Sequence, residues 1–187
     1  MAVSATYTVE QFLADTRATM QAKGIPSGLE EIRRHVERLL ANPTLLQDYL
    51  GDPVPYRERT TIGYDPETDV HVLVHGRAQG GQSAPHDHGP CWVVYGQYQH
   101  YTDMTRWKRL DNGGNTTGHA ELTVQKQFRL NAGEAAAFAR GDIHSIAYGD
   151  DTFFIRVTGG DVEKQTTLRF NLEKQTVEVE DRAQRPQ

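Results

Sequence analysis

From about Arg57 onward the chain stops reading as helix and becomes short alternating segments punctuated by glycine, and this change most constrains its fold. Val70-His71-Val72-Leu73-Val74-His75 puts three valines on one face of a strand and His71, Leu73 and His75 on the other. Further strands are expected over Cys91 to Tyr101, Glu121 to Leu130, Ala135 to Ala139, Thr152 to Thr158 and Thr166 to Leu172. Asp111-Asn112-Gly113-Gly114-Asn115 is a hairpin turn or loop, and Asp181 to Gln187 a solvated tail. Many short strands at regular spacing indicate a barrel or jelly roll.

The first fifty residues are helical in pattern. Thr8-Val9-Glu10-Gln11 fits a capping box for a helix that buries Phe12 and Leu13 and stops near Gly24 and Pro26. Ser27-Gly28-Leu29-Glu30 fits a second box, followed by Leu29, Ile32, Val36 and Leu39 as one apolar stripe. Asn42-Pro43 ends that helix, Thr44 to Leu50 forms a shorter one, and His35 is expected at the surface. The expected organisation is one structural domain: helices over 1–55, a barrel over 56–180 and a tail over 181–187.

Within the β region, His86-Asp87-His88 is followed 56 positions later by His144, inside Gly141-Asp142-Ile143-His144. Alternation sends His86 and His88 to the same face and Asp87 away, so two imidazoles can converge with a distant third on one ion. The cupin superfamily, which this histidine pattern resembles, carries a glutamate ligand four or five residues after the second His, where Trp92 and Val93 stand here. The expected set is therefore three neutral histidines, which leave the full charge on the ion and several open positions. Zinc would accept this set with water, and iron(II) would accept it with a chelating substrate and dioxygen. A net charge of −5 without a basic stripe argues against nucleic acid, and no apolar run reaches membrane-spanning length. Cys91 alone excludes an intramolecular disulfide, and the N-terminus lacks a signal pattern, so a cytoplasmic setting is expected.

Gly80-x5-His86-x-His88 and Gly133 with Gly141-x-x-His144 resemble the two motifs of the cupin superfamily. The resemblance implies a mainly β, double-stranded β-helix (jelly-roll barrel) with an N-terminal helical segment and the metal inside. Pro85-His86-Asp87-His88, Trp92 and Gly96 are similar to the signature of the thiol dioxygenases, the cysteine and 3-mercaptopropionate dioxygenase group. That similarity extends through Tyr56-Arg57-Glu58-Arg59 and Tyr64-Asp65-Pro66-Glu67. It implies Fe(II), with Zn, Mn or Ni as alternatives, and the oxidation of a small anionic thiol by O2 to a sulfinic acid. The substrate's carboxylate would rest on Arg59 or Arg57.

The group's Ser-x-His-x-Tyr aligns with Phe154-Ile155-Arg156-Val157-Thr158, so both its phenol and its histidine are replaced. Cys91 is not at the place where some members carry a crosslinking cysteine. On alternation, Phe153, Ile155 and Val157 pack away from the cavity while Phe154, Arg156 and Thr158 line it, and the alignment favours that orientation. Arg156 would then hold an acid group as a bidentate fork. Diketone or hydroxylated-aromatic cleavage, or a non-redox lyase or isomerase reaction, are the alternatives for such a site. Val93 and Tyr95 share one strand face, Trp92, Val94 and Tyr98 the other, and either could line the cavity. His71 and His75 support the site from behind or stand partly exposed; His100 is an off-motif fourth ligand at best, and His119 gets no role. Barrels of this type often pair, so a homodimer is expected by analogy alone.

Overall fold

The computed structural model describes residues 6–111 and 113–181; Asn112 of the expected turn and residues 182–187 of the tail lie outside them. Among the described residues, α1 (Val9–Lys23), α2 (Leu29–Leu40) and α3 (Leu45–Leu50) come first. The strands that follow are β1 (Thr60–Asp65), β2 (Val70–Arg77), β3 (Gly81–Gln82), β4 (Val93–Gln99), β5 (Tyr101–Arg109) and β6 (Gly118–His119). After them come β7 (Leu122–Asn131), β8 (Ala135–Phe138), β9 (Ile143–Tyr148), β10 (Thr152–Gly159), β11 (Thr166–Asn171) and β12 (Thr176–Asp181).

Helix α1 opens on the reciprocal cap its sequence encodes: Gln11 N–H donates to the Thr8 hydroxyl, and Thr8 N–H to the Gln11 side chain. The second expected box does not form. Gly28 is the N-cap of α2, and the turn closes through its backbone, with Gly28 N–H on Gly24 O and Leu29 N–H on Pro26 O. His35 is half-buried rather than exposed, because it faces α1 and meets the Thr19 hydroxyl at 3.2 Å.

Antiparallel strands form two layers. The first is a five-stranded sheet in the order β1-β2-β10-β4-β8. The second contains β6-β12-β11 and β3-β9-β5-β7, joined where His86 bridges His144 of β9 and Arg169 of β11. The two layers make a double-stranded β-helix. On the outer face of the first sheet Val72, Val74, Ile155 and Val157 meet Phe12, Ile32, Val36 and Leu39 in one apolar cluster. Each fully buried aliphatic side chain there contributes roughly 1.5–3 kcal/mol. Close approach of the helices needs glycine in the sheet: a Cβ at Gly63 would lie 2.4 Å from Val9, and one at Gly96 2.5 Å from Val36. Between the sheets, Val93, Tyr95, Met104, Leu130, Phe138 and Phe154 form an inner cluster.

Alternation located β2, β7, β8, β10 and β11 to within a residue or two at each end. The single strand expected over Cys91 to Tyr101 is instead two. His100 takes a positive φ of 62°, and this corner carries the chain from one layer to the other as β4 becomes β5. β1, β9 and most of β5 carry no clean alternation of apolar and polar residues, whereas β12 does, in Val177-Glu178-Val179-Glu180; none of the four is among the expected strands. No helix among the described residues is long and apolar enough to cross a membrane.

Candidate metal centre and its cavity

The histidine pair sits on an extended segment stitched between two strands. His86 N–H donates to His144 O at 2.9 Å, and His144 N–H returns to His86 O at 3.0 Å. On the other side Asp87 N–H donates to Leu168 O at 3.1 Å, and Phe170 N–H to Pro85 O at 2.9 Å. The Asp87 side chain points away from the histidines, as alternation requires, and is buried. Its Oδ1 accepts from Leu168 N–H at 2.7 Å and Gly89 N–H at 3.1 Å, locking the segment to β11.

Ring nitrogens of His86, His88 and His144 all lie within 4.8 Å of one another. His88 and His144 are buried and His86 is half-buried, opening onto the cavity. A carbonyl can only accept, so the 2.9 Å contact between His86 Nδ1 and Ala84 O places the proton on Nδ1 and leaves the Nε2 lone pair for an ion. No Asp or Glu joins this cluster among the described residues. The donor set therefore fits a single divalent ion held by neutral imidazoles.

Tertiary structure settles the face that sequence left open. Val93 and Tyr95 point inward, while Trp92 and Val94 pack against the helices. The Tyr95 phenol stands at the histidines, its oxygen 3.1 Å from His88 Nε2 and 3.4 Å from His144 Nε2. Phe154 and Arg156 also face inward, and Thr158 is buried with its hydroxyl on Gly160 O at 2.8 Å.

Above the histidines lies a cavity of about 260 Å³, whose floor includes His86 and Tyr95 and whose walls carry Arg59, Arg77, Arg156 and Arg169. Arg156 and Arg59 are brought together by a residue that no sequence pattern singled out. Glu163, in the turn after β10, accepts from Arg156 at 2.9 Å through one oxygen and pairs with Arg59 at 2.6 Å through the other. Burial alone would raise the Glu163 carboxyl, but the hydrogen bond from Arg59 and the charge of Arg156 outweigh it and hold it below the usual range.

His75 is buried and stacks on Phe154 with ring centres 4.8 Å apart. Burial, and then the charges of Arg156 and Arg77, push it well below the ordinary histidine range, so it stays neutral. The other candidates lie apart. Arg57 and His100 are exposed, and His71 is occupied by Asp69 at 3.1 Å and the Tyr64 ring. Burial lifts the Cys91 thiol to about 11, which removes it as a nucleophile. Arg77 went unnoticed although a signal existed: the inward face that runs His71, Leu73, His75 continues to it. Glu163 follows a Gly-Gly turn with no periodic pattern, and nothing in the sequence marks it.

No protein-family model and no curated protein matches this sequence. Among solved structures the chain is similar to KdgF from Halomonas sp., at 14% identity and a TM-score of 0.41, over 55% of this chain and 77% of that one. It is also similar to a cupin superfamily protein from Desulfitobacterium hafniense, at 13% identity and TM-score 0.42, over 58% and 84%. An oxalate oxidase matches at 19% identity and TM-score 0.39, over 58% and 53%. These likenesses concern the fold and carry no chemistry to this chain.

Proposed function

We propose that this chain is a mononuclear non-haem iron(II) dioxygenase acting on a small anionic thiol, with a thiol acid taken to its sulfinate. The observation that carries the reading is the convergence of three imidazoles, with no carboxylate among them, one of which, His86, opens onto a cavity walled by arginines. A purely structural ion would be enclosed by its ligands, whereas this cluster opens through His86 onto space a substrate can enter.

His86, His88 and His144 would hold the ion, and iron(II) when bound supplies the redox chemistry that joins O2 to sulfur. Both oxygen atoms go to sulfur, which loses four electrons as O2 gains four, so no further reductant is needed. Ala84 O fixes the tautomer of His86, and Asp87 fixes the segment that carries it. Tyr95 brings a hydroxyl to the histidines from β4, while the family's tyrosine would stand on β10 at Thr158. The arginine wall attracts an anion and orients its acid group.

A second reading is favoured by one observation. Phe154 and Tyr148 line the cavity beside His75, a set of flat apolar walls suited to a diketone or hydroxylated aromatic cleaved between carbons. The deciding experiment is oxygen uptake by anaerobically iron(II)-loaded protein with thiol acids, diketones and hydroxylated aromatics, and His144→Ala as the blank. Uptake with 3-mercaptopropionate or cysteine, absent in the blank, is the expected result. Uptake only with a carbon acid or aromatic moves the reaction to carbon–carbon cleavage. No uptake with any of them favours a non-redox lyase or isomerase and overturns the dioxygenase.

A further inference from the structure

Four arginines face the cavity, and three have carboxylate partners close by. Arg156 and Arg59 share Glu163, and Arg169 meets Glu180 at 3.3 Å. Arg77 differs. Its nearest carboxylate is Glu58 at 3.6 Å, beyond hydrogen-bond distance, and the Glu58 side chain is 83% exposed. Arg77 Nε is buried and has no hydrogen-bond partner. The guanidinium carbon lies over the ring of Tyr148, 5.8 Å from its centroid.

A buried N–H donor left unfilled is costly, and a guanidinium offers Nε and Nη side by side in the geometry a carboxylate accepts. The cavity's four arginines face three glutamates, Glu58, Glu163 and Glu180, leaving one positive charge on the side chains beside that of an ion at the histidines. That balance suits one carboxylate. A volume of about 260 Å³ is the space of roughly nine waters, enough for a chain of a few carbons between Arg77 and the histidines. Arg156 also leaves its Nε unfilled, but its other end is already committed to Glu163.

We infer that Arg77 reads the acid group of the substrate, a short monocarboxylate, and that Glu163 is a fixed internal counter-ion for Arg59 and Arg156. This assignment rests on the proposed function only in placing the substrate's other end at the histidines. It shifts recognition from Arg59 and Arg156, the arginines picked out by sequence, to the C-terminal end of β2.

The test measures binding without turnover. Zinc-loaded protein is titrated in a calorimeter with 3-mercaptopropionate, with 3-mercaptopropionamide and with propionate. Wild type should prefer the acid to its amide by about tenfold or more. Arg77→Gln should abolish that preference, Arg77→Lys should keep part of it, and Arg156→Gln and Arg59→Gln, which remove a charge of the wall but not the proposed contact, should lower it far less than Arg77→Gln does. Thermal melts of each variant report folding, and Arg77→Lys retains the charge if the glutamine variant is unstable. A preference that survives Arg77→Gln, or one lost in Arg156→Gln alone, overturns the assignment, as does failure of both acids to bind wild type at millimolar concentration. If propionate binds through Arg77 as tightly as the thiol acid, the Arg77 assignment stands and thiol chelation at the histidines fails.

Discussion

The histidine floor and the arginine rim of the cavity are built in opposite ways. On the floor, short side chains project from backbone hydrogen-bonded on both sides, to His144 and to Leu168, so their positions follow from strand geometry. At the rim, long side chains from β2, β10, β11 and the segment before β1 choose among carboxylates delivered by the turn after β10, by β12 and by the segment before β1. Ligands on rigid strands are set by spacing along the chain. Partners of flexible cations are set by whatever the fold brings within reach.

The largest test of this contrast is His144→Ala. It should take bound metal from one ion per chain to none, measured by elemental analysis, while circular dichroism and melting cooperativity persist. A variant that keeps its metal would remove the three-histidine floor altogether. Next comes Asp87→Ala, which leaves the Leu168 and Gly89 N–H groups without their acceptor and should cost about 2–4 kcal/mol in urea denaturation. Asp87→Asn keeps an acceptor oxygen and should cost less. Equal losses in the two would show that charge, not the backbone bond, holds the segment.

Protonation of His75 separates the regions again. Its folded-state proton affinity is depressed, so the unfolded chain binds a proton below the ordinary histidine value of 6.5 while the native chain does not. Stability should therefore be full above that value and fall as pH drops below it, by up to about 1.4 kcal/mol per pH unit. His75→Leu should flatten that part of the profile, and an unchanged slope would assign the loss to other groups.

The smallest expected effect is at the rim. Glu163→Gln should cost about 1 kcal/mol, because the pair is partly open to solvent, and should strengthen binding of a small carboxylate by adding net positive charge. The carboxyl is held below its ordinary range, so its contribution is present above the usual value of 4.5 and lost as pH falls through the folded one. The gap between wild type and Glu163→Gln should accordingly close in acid. A gap that widens would reverse the assigned role of Glu163.

Much of the barrel was legible because its strands separate two environments. Val70, Val72 and Val74 meet the helices while His75 and Leu73 face the other way, and such strands alternate visibly. β9 was not legible, since its inner face carries His144, Ile146 and Tyr148 and its outer face Ile143 and Ala147, so polarity does not divide it. The β4–β5 corner was hidden for a different reason. A positive φ at His100 is imposed by the change of layer, and histidine does not announce it.

The shared face of His86 and His88, the outward Asp87 and the cap on α1 were determined by sequence alone, because each depends on spacing within a few residues or on strand periodicity. Only the tertiary structure decided that Tyr95 meets the histidines, that Glu163 joins Arg156 to Arg59, and that Arg77 stands 3.6 Å from Glu58, beyond hydrogen-bond distance. Those facts depend on which turns and strands close over the cavity. Distances between residues far apart in the chain are created by packing, and no local pattern encodes them.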